Sequence, residues 1–141
     1  MVKKDLIITK ASAVKLHLSR IANKVDCTFE DFVSNIDVQE SVLFNIQMAI
    51  QNCLDIAAHI ISDENIGIAS SNNEMFYLLE ENGYIIPELT EKMVSAVGFR
   101  NLVVHEYAKI DLKQVFQIAQ KDIRDLSEFL KAVLTRANIG P

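Results

Sequence analysis

The sequence predicts an all-α fold: a single-domain helical bundle of four main helices with short helices between them. Three observations carry this. Half of the residues are apolar, enough to build a packed core rather than a disordered chain. Only four Gly and two Pro occur in 141 residues, so few positions break a helix. Apolar residues recur at intervals of three and four and do not alternate over long stretches. A chain of this length suits one domain, residues 1–141, with room to bury a core. No repeat, low-complexity run or linker interrupts it.

The first helix is expected from about Thr9, as cap, to Lys24, with Ala13, Leu16, Leu18 and Ile21, then Val25, at helical intervals. Thr28 caps a short segment, TFEDFVSN, whose Glu30 and Asp31 suit the positive end of a helix dipole. The longest helix is capped by Asp37 and continues to about Ser62. Val38, Val42, Ile46, Ala49, Cys53, Ile56 and Ile60 trace one face, widened by Leu43, Ile50, Leu54 and Ala57, so this helix belongs at the centre of the core. Residues 63–71 read as a connection. Ser71 or Asn72 starts a helix that runs to Glu81, and Asn82-Gly83 ends it, Gly taking a left-handed conformation without a Cβ penalty. Pro87 suits the first turn of the next helix, which reaches Gly98. After FRNLVVHEYA, Asp111 caps a last helix to about Arg136, with Leu112, Val115, Phe116, Ile118 or Ala119, Ile123, Leu126, Phe129, Leu130 and Val133 as its apolar positions.

Composition narrows the function. The apolar run LII near the start is too short for a signal-peptide core, and no stretch approaches the ~18 apolar residues of a membrane span. A cytoplasmic protein with no membrane association is expected. The net charge of −5 argues against nucleic-acid binding through bulk positive charge, so any RNA contact needs a locally basic site. Cys27 and Cys53 show no CxxC spacing and read as buried or half-buried thiols in a reducing compartment.

The segment Gly98-Phe99-Arg100-Asn101-Leu102-Val103-Val104-His105-Glu106-Tyr107 stands apart. It gathers Arg, Asn, His, Glu and Tyr around an apolar trio. Arginine brings a permanent charge and a planar fork of donors suited to phosphate. Histidine exchanges a proton near neutral pH. Cleavage of an RNA backbone needs these groups: a base for the 2′-OH proton, an acid for the leaving 5′-oxygen, and a cation for the charge gathering on the phosphoryl oxygens. That chemistry requires no metal.

Helical geometry constrains the pair. On a regular helix, Arg100 and His105 point about 140° apart, whereas Asn101 and His105 share a face. Either the backbone near Gly98 is irregular, so that Arg100 precedes the regular helix, or two copies meet about a twofold axis and form a joint groove. The two in combination fit best. Asn101 either orients His105 or holds a phosphate, or else simply caps the helix or bonds in the core.

Arg100, a polar residue, three apolar residues, His105, any residue and Tyr107 together resemble the RX4HXY motif of HEPN domains. The segment is more closely similar to that of HepT-like toxins paired with minimal nucleotidyltransferase antitoxins. The motif's place before the last helix, the chain length and the all-α pattern agree, so the resemblance covers essentially the whole chain. It implies a HEPN-like bundle acting as the metal-independent endoribonuclease toxin of a type VII pair. It further implies catalytic residues Arg100 and His105 and a homodimer that brings two motifs into one cleft; Asn101, on the face of His105, is read as a supporting residue beside them. The cognate nucleotidyltransferase would silence the toxin by transferring AMP from ATP to Tyr107. The alternative is a non-catalytic nucleotide- or RNA-binding module, or a scaffold partner of a nucleotidyltransferase.

Other polar residues read more simply. His17 and His59 lie on helices, and Asp55 with His59 reads as a helix-surface contact, since no third ligand completes a metal site. Lys92, Lys109, Lys113 and Lys121 either border an RNA path or form solvated faces. Glu106 reads as a surface acid. No GxxxxGK[ST], GxGxxG or HExxH occurs, so no cofactor and no metal is expected.

Overall fold

In a computed structural model, residues 3–139 are described, and they form helices joined by short turns. Helix α1 spans Lys4–Lys24, α2 Phe29–Val33, α3 Ile36–Asp63, α4 Asn72–Glu81 and α5 Pro87–His105. A 3₁₀ turn, Tyr107–Lys109, leads into α6, Leu112–Gln117. A π-helical turn, Ile118–Asp122, then joins α6 to α7, Arg124–Arg136. No strand occurs among the described residues.

Helix α3 is the centre, packing on α1, α2, α4, α5 and α7. Its buried face carries Val42, Leu43, Ile46, Ala49, Ile50, Cys53, Leu54, Ile56, Ala57 and Ile60, as expected from the sequence, and Ile61 in addition, while the expected Val38 is only partly buried. Helix α1 lies antiparallel to it. The Lys3 amide donates to Asp63, Lys10 pairs with Asp55, and His17 bonds Asn45. Edge-to-face Phe76 and Phe129, 5.6 Å apart, join α4 to α7, and Phe32 with Phe116, 5.1 Å apart, joins α2 to α6. Each fully buried Phe contributes roughly 1.5–3 kcal/mol.

The helices differ from expectation in four places, one of them α5, which runs past Gly98 to His105. Helix α1 begins at Lys4, so Thr9 is no cap; it sits within the helix and its hydroxyl donates to the Asp5 carbonyl. Asn35, not Asp37, caps α3, because its Oδ1 accepts the Val38 amide at 3.2 Å while Asp37 falls in the first turn. The expected single last helix is interrupted by the π turn, where the Ile123 amide reaches the Ile118 carbonyl. A wide turn resets the helical phase, and it keeps Val115, Phe116 and Ala119 as well as Leu126, Phe129 and Leu130 facing the core. Thr28, Ser71 and Asp111 cap as expected, each accepting a first-turn amide. Gly83 follows α4 at φ +79°. Among the described residues, no helix is long and apolar enough to cross a membrane.

Candidate functional site

Helix α5 carries the motif. Ile86 precedes it in extended conformation and Pro87 occupies its first turn, where a missing N–H costs nothing. Leu89, Met93, Val97, Phe99 and Val103 turn inward and fix its rotation. The helix runs unbroken through Gly98 to His105. The expected irregularity near Gly98 is therefore absent, and a Cβ at Gly98 would meet nothing within 4 Å.

Arg100 thus stands on the last turns of α5, half-buried. Its Nη2 donates to Gln51 Oε1 on α3 at 2.6 Å, and its Nη1 donates to Asn101 Oδ1 at 3.2 Å. Its Nε is buried without a hydrogen-bond partner among the described residues. Gln51 Nε2 in turn donates to Asp55 Oδ1 at 3.0 Å, and Lys10 Nζ of α1 holds Asp55 Oδ2 at 3.0 Å. A polar relay therefore crosses three helices: Arg100, Gln51, Asp55, Lys10.

His105 is the final residue of α5, exposed, and its ring makes no hydrogen bond among the described residues. Glu106 then leaves the helical conformation, at φ −137° and ψ 49°. Tyr107 consequently lies in the 3₁₀ turn rather than on α5, with 57% of its surface exposed. Five helical residues separate Arg100 from His105 by about 7.5 Å along the axis and about 140° around it. Asn101, one turn before His105, has its carbonyl oxygen on Arg100 instead. One chain brings Arg100 and Asn101 together and leaves His105 and Tyr107 beyond them, at and past the helix end.

The relay was not legible in the sequence. Asp55 was expected beside His59, yet it faces Gln51 and Lys10, since helical Cβ atoms lean toward the N-terminus and favour the residue one turn earlier. The only available signal was Gln51 and Asp55 at i and i+4, a common surface pattern. His17 donates from Nδ1 to Asn45 Oδ1 at 2.8 Å, because the Asn45 amide nitrogen already faces the Ser41 carbonyl. It is a structural residue. Of the four lysines, Lys109 pairs with Glu106 at 3.1 Å and Lys92 with Asp125 at 3.6 Å, while Lys113 and Lys121 stay exposed. Partial burial holds the Asp125 carboxyl above its ordinary range, against the pull of Lys92. Among the described residues, no three His, Cys, Asp or Glu side chains converge as metal ligands would. Cys53 is buried and Cys27 half-buried, both free thiols.

The site can therefore do three things. It offers a fixed guanidinium fork to an anion, an unencumbered imidazole for proton transfer, and an exposed phenol to a modifying partner.

A family profile described as ribonuclease HepT-like matches residues 14–133. The chain is 32% identical over 129 residues to the mRNA nuclease HepT of Shewanella oneidensis, covering 92% of this chain and 96% of that one. It is 30% identical over 111 residues to the tRNA nuclease HepT of Aphanizomenon flos-aquae, covering 79% and 76%. The solved structure of the tri-AMPylated Shewanella oneidensis HEPN toxin in complex with MNT antitoxin superposes with a TM-score of 0.87 at 31% identity, covering 93% of this chain and 98% of that chain.

Proposed function

Since the chain belongs to the HepT-like ribonuclease family, we propose that it is an RNA endonuclease, the toxin of a toxin–antitoxin pair, with Arg100 and His105 as its catalytic residues. The observation that carries the assignment is the pose of Arg100. Its guanidinium is held in place by two carboxamides and, among the described residues, by no carboxylate, so its charge stays available to a phosphate. We read residues 1–141 as one domain, in keeping with a continuous core from Ile7 to Ile139, and place it in the cytoplasm with its RNA.

The reaction is internal transesterification. An imidazole takes the 2′-OH proton, the 2′-oxygen bonds to phosphorus, the P–O5′ bond breaks, and a second acid returns a proton to the 5′-oxygen. Arg100 stabilises the charge on the non-bridging oxygens, and no step calls for a metal. Each chain contributes one motif histidine, and that histidine points away from its own Arg100. Both facts support a homodimer whose joint cleft holds two copies of the motif, one imidazole as base and the other as acid. Phe44, two turns before Gln51 on α3, and Val104, one turn after Arg100, are large apolar side chains left 55% and 42% exposed. They suit burial against a second copy.

Tyr107 is the proposed acceptor for AMP from a cognate nucleotidyltransferase antitoxin. Its hydroxyl is accessible, and a phosphodiester there would bring an anion and a bulky nucleoside to the edge of the cleft. A second reading, a non-catalytic RNA- or nucleotide-binding module or a nucleotidyltransferase scaffold, is favoured only by the net charge of −5. Cleavage of an RNA substrate by the purified chain decides between them. Arg100→Ala and His105→Ala should each lower the rate by about 10²–10³ or more with unchanged helicity, and EDTA should have no effect. Full activity in either variant overturns the assignment.

A further inference from the structure

We propose that Gln51 is the positioning residue for Arg100: a neutral latch that aims the guanidinium without cancelling its charge. This rests on Arg100 being the phosphate-binding group proposed above. The Nη2 bond to Gln51, at 2.6 Å, is the shortest contact Arg100 makes, and it reaches across from a different helix. A half-buried arginine is ordinarily held by a carboxylate, which offers the better geometry and the stronger bond. Here both acceptors are carboxamide oxygens, from Gln51 and Asn101.

The relay behind Gln51 explains how an ambiguous amide is made to present oxygen. The two ends of a carboxamide are nearly isosteric, so its orientation is decided by its neighbours. Ionised Asp55 can only accept. It therefore takes the Gln51 Nε2–H at 3.0 Å and leaves Oε1 for Arg100. Lys10 neutralises Asp55 at the far end, at 3.0 Å. One carboxylate thus lies between two cations, and the relay keeps one net positive charge, placed at Arg100. An acid at position 51 would capture that charge and face Asp55 with like charge. An apolar residue would leave the guanidinium without its shorter bond, the one that reaches it from another helix. The buried Nε without a partner fits the same picture, because the bond at Nη2, not satisfaction of every donor, sets the pose.

The test compares Gln51→Met and Gln51→Glu in the full-length chain, with Arg100→Ala as reference. Cleavage of a single-stranded RNA oligonucleotide is measured directly, and its binding is followed against salt in a His105→Ala background. Gln51→Met retains the charge but frees the guanidinium. It should cut kcat by about tenfold to a hundredfold while leaving the slope of log Kd against log salt unchanged. Gln51→Glu should weaken binding and flatten that slope by about 0.7 per site, the loss of one phosphate contact to a single strand. If repulsion from Asp55 prevents folding, Gln51→Glu with Asp55→Asn restores a donor behind position 51 and should flatten the slope equally. A purely structural role would lower activity only in step with Tm and leave both slopes alone. If Arg100→Ala is inactive but Gln51→Met cleaves normally or the glutamate variants keep the wild-type slope, the latch is wrong and the catalytic reading stands. If Arg100→Ala itself cleaves normally, the catalytic reading fails and the latch fails with it.

Discussion

A joint cleft makes a quantitative demand on a mixed dimer. Consider one wild-type subunit paired with one His105→Ala subunit. Along α5, Arg100 and His105 of one chain stand about 7.5 Å and about 140° apart, and of the other two histidines His17 is tied to Asn45 while His59 lies on α3, outside the motif. A chain therefore has one motif imidazole, and the reaction needs both a base and an acid. If the two copies supply one each, removing either should cost about 10²–10⁴ in rate, the usual worth of a positioned acid or base. If each chain instead carries a self-sufficient site, the mixed dimer keeps one of two sites and half the wild-type rate. The two outcomes differ by about two orders of magnitude or more. Differently tagged copies, co-expressed and purified through both tags, provide the mixed dimer, and single-turnover cleavage of an end-labelled RNA oligonucleotide reads it. Half of the wild-type rate would refute the joint cleft, as would a clean monomer in sedimentation.

The remaining predictions concern silencing and the buried thiol. Co-expressed with its cognate nucleotidyltransferase, the wild-type chain should gain AMP-sized mass increments and lose cleavage, while Tyr107→Phe should keep much of its activity and gain none. The same increments on Tyr107→Phe would place the modification elsewhere. Cys27, half-buried, should react with a thiol reagent under native conditions, whereas Cys53 should react only on unfolding. Burial holds the Cys53 thiol far above its ordinary range. Its folded value therefore exceeds its unfolded one, so its contribution to stability is intact below about pH 8.5 and is lost as pH rises further. Tm should fall between pH 8 and pH 10, and Cys53→Ala should fall less steeply; equal slopes would show that Cys53 plays no part.

Much of the fold was legible because burial imposes a period. The stripe from Val42 to Ile61 marks α3 as central, since a helix that packs on five others must be apolar over a wide arc. Thr28, Ser71, Pro87 and Gly83 mark ends because orphan amides, a missing N–H and a positive φ each suit few residue types. The failures arose where several residues meet the same local demand. Asn35 and Asp37 are both good caps, and Asn35 takes the role by accepting the Val38 amide. The π turn at Ile118–Asp122 has no compositional mark, because a helix with one wide turn and a regular helix draw on the same residues.

The site divides along the same line. Local sequence by itself determined the chemistry present: a guanidinium, an imidazole and a phenol within eight residues, on and just past a helix whose period sets Arg100 and His105 on different sides. Tertiary structure alone decided what holds that chemistry in place. Gln51 lies 49 residues before Arg100, and no periodicity links them. Their bond exists because the apolar faces of α3 and α5 pack together and carry two polar side chains, one from each helix, to the same edge. The position of Tyr107 was likewise a matter of three dimensions, since α5 ends at His105 and the turn at Glu106 carries the phenol off the helix axis into solvent.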